Sequence, residues 1–177
     1  MNKSISKYLK SGSQTEITPD IQKIAESFTK QGLDLILEIL QWIHPYFEHQ
    51  SSDKKNIFRK RTADEIIKSK MVTGCTDYAL VFIALARAKG IPTKYIETIR
   101  RRWLDIGKED QIEGHIFAEC FINNNWYIVD PQEHTIRIDY LRFEIYKKGL
   151  DSWDIGIHNF DELKEQFLKF KRERKSE

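Results

Sequence analysis

"MVTGCTDYALVFIALARAKGIP", residues 71 to 92, decides the fold. From Tyr78 to Ala86 it carries no charge, so a helix over 75–89 must be buried nearly all round. Its charges follow the helix dipole, with Asp77 in the first turn and Arg87 and Lys89 in the last. Gly90 suits the left-handed residue that ends a helix, and Pro92 prevents it from resuming. Thr73 or Gly74 is the expected N-cap, which sets Cys75 in the first turn. Unpaired amides there favour negative charge, so a thiol at that position is placed to react. Gly74 also lets a substrate backbone come close. The plainer alternative is a buried core thiol, because free cysteine is among the most buried residue types.

The chain on either side divides by character. Residues 1–18, rich in Ser, Lys and Thr, read as a loose or docking arm, and 19–177 as a single domain. Pro19 and Asp20 open a helix, and LDLILEILQWIHPYF (33–47) is apolar on nearly every face. EHQSSDKKNIFRKR (48–61) is a polar, basic connector. TADEIIKS (62–69) follows as a short helix in which Thr62 and Glu65 have capping-box spacing. After Pro92 the pattern turns β-like: TKYIETI (93–99), HIFAECFI (115–122), a turn at Asn123 to Asn125, WYIVD (126–130), and a further strand over 135–140. From Asp161, the residues Leu163, Phe167 and Phe170 stand at helical spacing before a basic tail. Helices first and an antiparallel sheet after them make an α+β domain with a C-terminal helix.

Composition narrows the function. The 177 residues are 40% hydrophobic and 12% aromatic, enough for a real core. Basic and acidic side chains nearly cancel, 29 against 27, which does not favour nucleic acid or membrane as the main partner. The basic runs Arg100-Arg101-Arg102-Trp103 and KKNIFRKR (54–61) read as solvated surface, with Arg101 a candidate for the rim of a cleft that selects acidic substrates. Two cysteines make no disulfide framework, and the N-terminus has no apolar signal core, so a soluble cytoplasmic protein is expected. Cys75, His115, Asp130 and Cys120 lack paired-ligand spacing, so no metal is expected and no cofactor is implied. Nothing in the sequence sets the oligomeric state.

Thiolate chemistry needs a base for the thiol proton and a group to orient that base. Of five histidines, His115 stands out because it begins a strand directly after Gly114. Asp130 ends the next strand, just before Pro131. In a hairpin turning at 123–125, paired residue numbers should sum to about 248, which returns Asp130 beside His115 through a bulge or diagonal pair. Phe117 and Glu119 share the His115 face, so they either line the cleft or stand as partly exposed sheet residues. Cys120 has the opposite parity and reads as structural.

These blocks carry a resemblance. GCTDYALVFIALARAKGIPTKYIE (74–97) and GHIFAECFINNNWYIVDPQ (114–132) are similar to the transglutaminase-like superfamily, whose core shares the papain-like cysteine-protease architecture. The similarity covers roughly residues 35–135, with TADEIIKS resembling the short helix before the family cysteine. It implies Cys75 as nucleophile, His115 as general base and Asp130 as orienting acid, with Ala79, Gly90, Pro92, Trp126 and Pro131 as scaffold positions. The charged segment RRRWLDIGKEDQIEG (100–114) matches no subfamily. No counterpart of the β-sandwich domains or calcium loop of animal transglutaminases is visible. The implied reaction is acyl transfer from a peptide or protein amide through a Cys75 thioester. The Cys75 N–H is one expected oxyanion donor, and a cleft indole from Trp42 or Trp103 is a candidate for the second, beside Gly74. The alternative is a non-catalytic module that keeps the cleft and holds a peptide or protein partner.

Overall fold

A computed structural model describes residues 3–49 and 54–174. Two short helical turns, Lys3–Ser6 and Lys7–Leu9, precede the first full helix, α1 (Pro19–Glu26). Thr18 caps α1 by accepting from the Ile21 N–H, and Pro19 occupies a first-turn position where a missing N–H costs nothing. Next comes α2 (Gly32–Tyr46), which buries Leu35, Ile36, Ile39, Leu40 and Ile43. A single turn, α3 (Lys54–Ile57), leads to α4 (Ala63–Ser69), where the capping box forms as its spacing predicts. Thr62 Oγ1 accepts from Glu65 N at 3.3 Å while Glu65 Oε2 accepts from Thr62 N at 2.8 Å.

The central helix α5 (Cys75–Ala88) is buried at every residue from Ala79 to Arg87, and α1, α2 and α4 all pack on it. It ends as expected: Gly90 takes φ 77°, its N–H reaches Arg87 O, and Ile91 N–H reaches back to Ala86 O. The two terminal charges are not solvated dipole partners. Asp77 is buried and accepts from Thr73 N and Oγ1 and from Arg61. Arg87 is buried too, donating to the carbonyls of Tyr8, Thr93 and Leu150 and to Thr15 Oγ1. Burial pulls its pKa down to about 10.

That guanidinium fastens the N-terminal arm, whose described part is docked rather than loose. Gln14 and Thr15 are fully buried. Gln14 accepts from Ala63 N–H, donates its own N–H to Asp151, and bonds the carbonyls of Arg59 and Arg61 through Nε2.

After α5 the chain builds β1 (Thr93–Arg100), the short helix α6 (Arg101–Ile106), β2 (Gly114–Ile122), β3 (Asn125–Asp130), β4 (Thr135–Arg137), β5 (Phe143–Gly149) and finally α7 (Phe160–Arg174). The strands form one antiparallel sheet in the order β4-β3-β2-β1-β5. Its hairpin is one residue tighter than expected. Asn123 and Asn124 both take positive φ and make a two-residue turn, so Ile122 pairs with Asn125 and paired numbers sum to 247. The strand expected over 135–140 stops at Arg137, and α6 and β5 fall where no element was expected.

Candidate active site

Cys75 is the first residue of α5, and Gly74 before it sits at φ 157°, ψ −160°, a region open essentially to glycine alone. The glycine brings the chain sharply into the helix. The Cys75 and Thr76 amides, first in α5, have no acceptor within the helix.

His115 stands one residue into β2. One step past the last β2–β3 pair, Ala118 with Val129, the register sets Asp130 across from Phe117. His115 and Phe117 share a strand face, so Asp130 meets His115 on the diagonal. The bond is direct: His115 Nε2 lies 2.9 Å from Asp130 Oδ2. Asp130 is itself fixed, since its Oδ1 accepts from Glu133 N–H and Arg137 stands 3.6 Å from Oδ2. The imidazole edge meets Phe117 and the ring leans on Phe143, at centroid distances of 4.8 and 5.5 Å. With Nε2 held by Asp130, the ring's other nitrogen is the one free for the Cys75 thiol, which lines the same cavity.

Burial alone would strip the proton from this ring. The bond to Asp130 and the neighbouring Cys75 sulfur outweigh burial and raise the His115 pKa from 6.5 to about 10. The sign follows directly. A value raised on folding means the charged ring stabilises the fold fully below about 6.5, and this contribution fades as pH climbs through about 10. Asp130→Asn removes the carboxylate charge, so a ring titration followed by NMR should show His115 losing its proton at clearly lower pH than in the parent. An unchanged titration would mean that Asp130 does not hold the proton.

Cys75 and His115 open onto a cavity of about 680 Å3. Its floor is apolar, from Ile116 and Leu163, and its sides carry Phe58, Ile112 and Phe160. Among the other expected cleft residues, Gly74 directly precedes the thiol without lining the cavity, and five side chains do not line it either. Trp42 packs among Phe28, Tyr46 and Phe47. Trp103 is buried against Phe167 and spends its indole N–H on Lys108 O at 2.9 Å. Phe117 is covered by Tyr140 and Phe143. Glu119 is buried in a cluster with Lys94, Lys148 and the Tyr140 hydroxyl. Arg101 is exposed at the start of α6 and is likewise no part of the cavity wall.

Residues that sequence reasoning passed over do line it: Lys54, Arg59, Thr76, Glu97 and the start of α7. The basic run 54–61 turns two of its cations inward, Arg59 onto Glu97 and Arg61 onto Asp77. Cys120 is a core thiol beside Thr93 Oγ1, and burial pushes its pKa up to about 12. Among the described residues no cluster of three or more His, Cys, Asp or Glu is arranged to hold a metal ion, and no helix is long and apolar enough to cross a membrane.

A thiol at the head of a buried helix, answered by a histidine bonded to a carboxylate on an antiparallel sheet, defines the papain-like class of folds. Within it, the family model of the transglutaminase-like superfamily matches residues 22–131, and the chain belongs to that superfamily. Among solved structures, a proposed cysteine protease from Cytophaga hutchinsonii superposes with a TM-score of 0.70 at 22% identity, over 89% of this chain and 50% of the other. The chain thus spans about half the length of that neighbour. A TGase structure is a fainter likeness, with a TM-score of 0.45 and 12% identity over 67% of this chain and 31% of the other. No curated protein matches the chain.

Proposed function

We propose that this protein is a thiol enzyme acting on amide bonds of peptides or proteins, with Cys75 as nucleophile, His115 as general base and acid, and Asp130 as orienter. The observation that carries this reading is the 2.9 Å bond from His115 to a buried Asp130, with Cys75 and His115 lining one cavity. The imidazole takes the thiol proton, and the sulfur attacks the carbonyl carbon to form a tetrahedral oxyanion. The Cys75 N–H at the head of α5 is one donor to that oxygen. Collapse breaks the C–N bond, and the imidazolium hands its proton to the departing amine. A thioester remains on Cys75, which His115 then helps water or a second amine to cleave. Water makes the protein a hydrolase and an amine makes it a transamidase. Both free cysteines suit a reducing compartment, and we place its work in the cytoplasm.

The test is the rate at which iodoacetamide labels Cys75 at about pH 6, where an ordinary thiol of pKa about 8.5 is almost wholly protonated. Labelling at least about tenfold faster than that of the denatured chain is expected, because the head of α5 and the charged His115 ring favour attack by the sulfur. A rate equal to the denatured chain's, with no acyl-enzyme mass shift on peptide exposure, would favour the non-catalytic binding module instead.

A further inference from the structure

We propose that the cavity beside Cys75 is a specificity pocket for acidic peptides, taking a large apolar side chain whose neighbours in the peptide carry carboxylates. This rests on the thiol-enzyme reading and adds the substrate class to it. Besides Cys75 and Thr76, three stretches build the pocket: 54–59, Glu97 with 112–116 beside it, and the start of α7. The third lies beyond the residues that match the family model, so this wall belongs to the chain's own C-terminal helix. The segments meet where Phe58 and Phe160 pack edge to face, 5.9 Å between centroids, closing one side.

The lining separates by chemistry. Ile116 and Leu163 are buried at the floor, and Phe58, Ile112 and Phe160 are half-buried above them, which suits an aromatic or long aliphatic group. Charge gathers at the rim. Lys54, Lys55 and Lys164 stand there against the single free acid Asp161, because Glu97 is already committed to Arg59. Lys54 Nζ reaches to 3.7 Å from the position a Cβ on Gly74 would occupy, so its ammonium lies beside the head of α5. A peptide carboxylate on either side of the inserted residue meets these cations.

A second feature of the wall points to a ligand. Arg59 and Thr76 are both more than nine-tenths buried and line the cavity, yet Arg59 Nε and Thr76 Oγ1 have no hydrogen-bond partner. Buried polar atoms are rarely left unpaired. Both lie in the wall of the cavity, where the fold itself leaves them unanswered.

The test compares two peptidyl chloromethyl ketones, one aromatic and flanked by glutamates, the other with lysines in their place. Iodoacetamide, too small to use the pocket, reads the thiol alone. The acidic ketone is expected to alkylate Cys75 at least about tenfold faster than the basic one, the advantage shrinking as salt is raised. Phe160→Ala should slow both ketones relative to iodoacetamide, and Lys164→Glu should narrow the ratio between them severalfold. Equal ketone rates alongside fast iodoacetamide labelling would overturn the pocket and leave the thiol enzyme standing. Slow labelling by all three reagents would instead strike at the enzyme reading itself.

Discussion

Cys75→Ala is expected to abolish turnover of any amide substrate while leaving the melting temperature nearly where it was. Removing the nucleophile of a serine-type triad costs roughly a millionfold in kcat, and a thiol acting through the same steps should lose a comparable factor. His115→Ala should cost about as much, because without the base the thiol keeps its proton and the amine leaves unprotonated. The double variant should be no slower than either single one, since the groups act as a unit. Stability is a separate matter. Cys75 is only half-buried at the edge of the core, so trading sulfur for a methyl group opens little space. Kinetics on a peptide substrate, read beside thermal melts of the same preparations, check both statements. Substantial activity in Cys75→Ala would move the chemistry to another residue and undo the assignment.

Much of this site was legible in the sequence because its parts are local. The absence of charge from Tyr78 to Ala86, closed by Gly-Ile-Pro, fixes one buried helix and therefore where its first turn begins. The strand parity of His115 against a short asparagine turn brings Asp130 back on the diagonal at a sum of 247; at 248 Asp130 would pair with Ala118 and face away, so the tighter turn decides the contact. Long-range packing was not legible. Strand β5 is an edge strand of half-buried residues with no clean alternation, and it was not anticipated. It and the preceding loop cover the His115 face with Tyr140, Phe143 and Lys148, which is why Phe117 and Glu119 are buried instead of lining a cleft. Trp103 failed as an oxyanion donor for a related reason: its segment folds into α6, whose turn brings the Lys108 carbonyl to the indole. The inward-facing Arg59 reads in sequence as one more surface cation, because nothing local marks which member of a basic run will meet a buried acid 38 residues away.

That pairing sets the largest stability effect expected in the molecule. Arg59 and Glu97 are bonded twice, Nη1 to Oε2 at 2.7 Å and Nη2 to Oε1 at 2.9 Å, with side chains only 2% and 1% exposed. Burial works against charge on Arg59, and the Glu97 carboxylate more than compensates, so the guanidinium stays charged in the wall of the cavity. The Tyr95 hydroxyl, whose pKa burial raises well above its ordinary value, donates to the same carboxylate. Arg59 also anchors its surroundings through its carbonyl, which accepts from Gln14 Nε2 and Trp153 Nε1. Glu97→Gln keeps the shape but strands the guanidinium, and removing one partner of a buried pair costs about 3–5 kcal/mol. For a domain of this size that lowers Tm by on the order of 10 °C. The exposed pair Arg100–Glu113, 38% and 44% accessible, provides the contrast: Glu113→Gln should change stability by no more than about 1 kcal/mol. Combining Arg59→Met with Glu97→Leu should recover most of the loss, because the penalty lies in the stranded charge and not in the absence of a bond. Were Glu97→Gln to melt with the parent, the ion pair would not be holding this wall, and the pocket beside Cys75 would owe its shape to the apolar contacts alone.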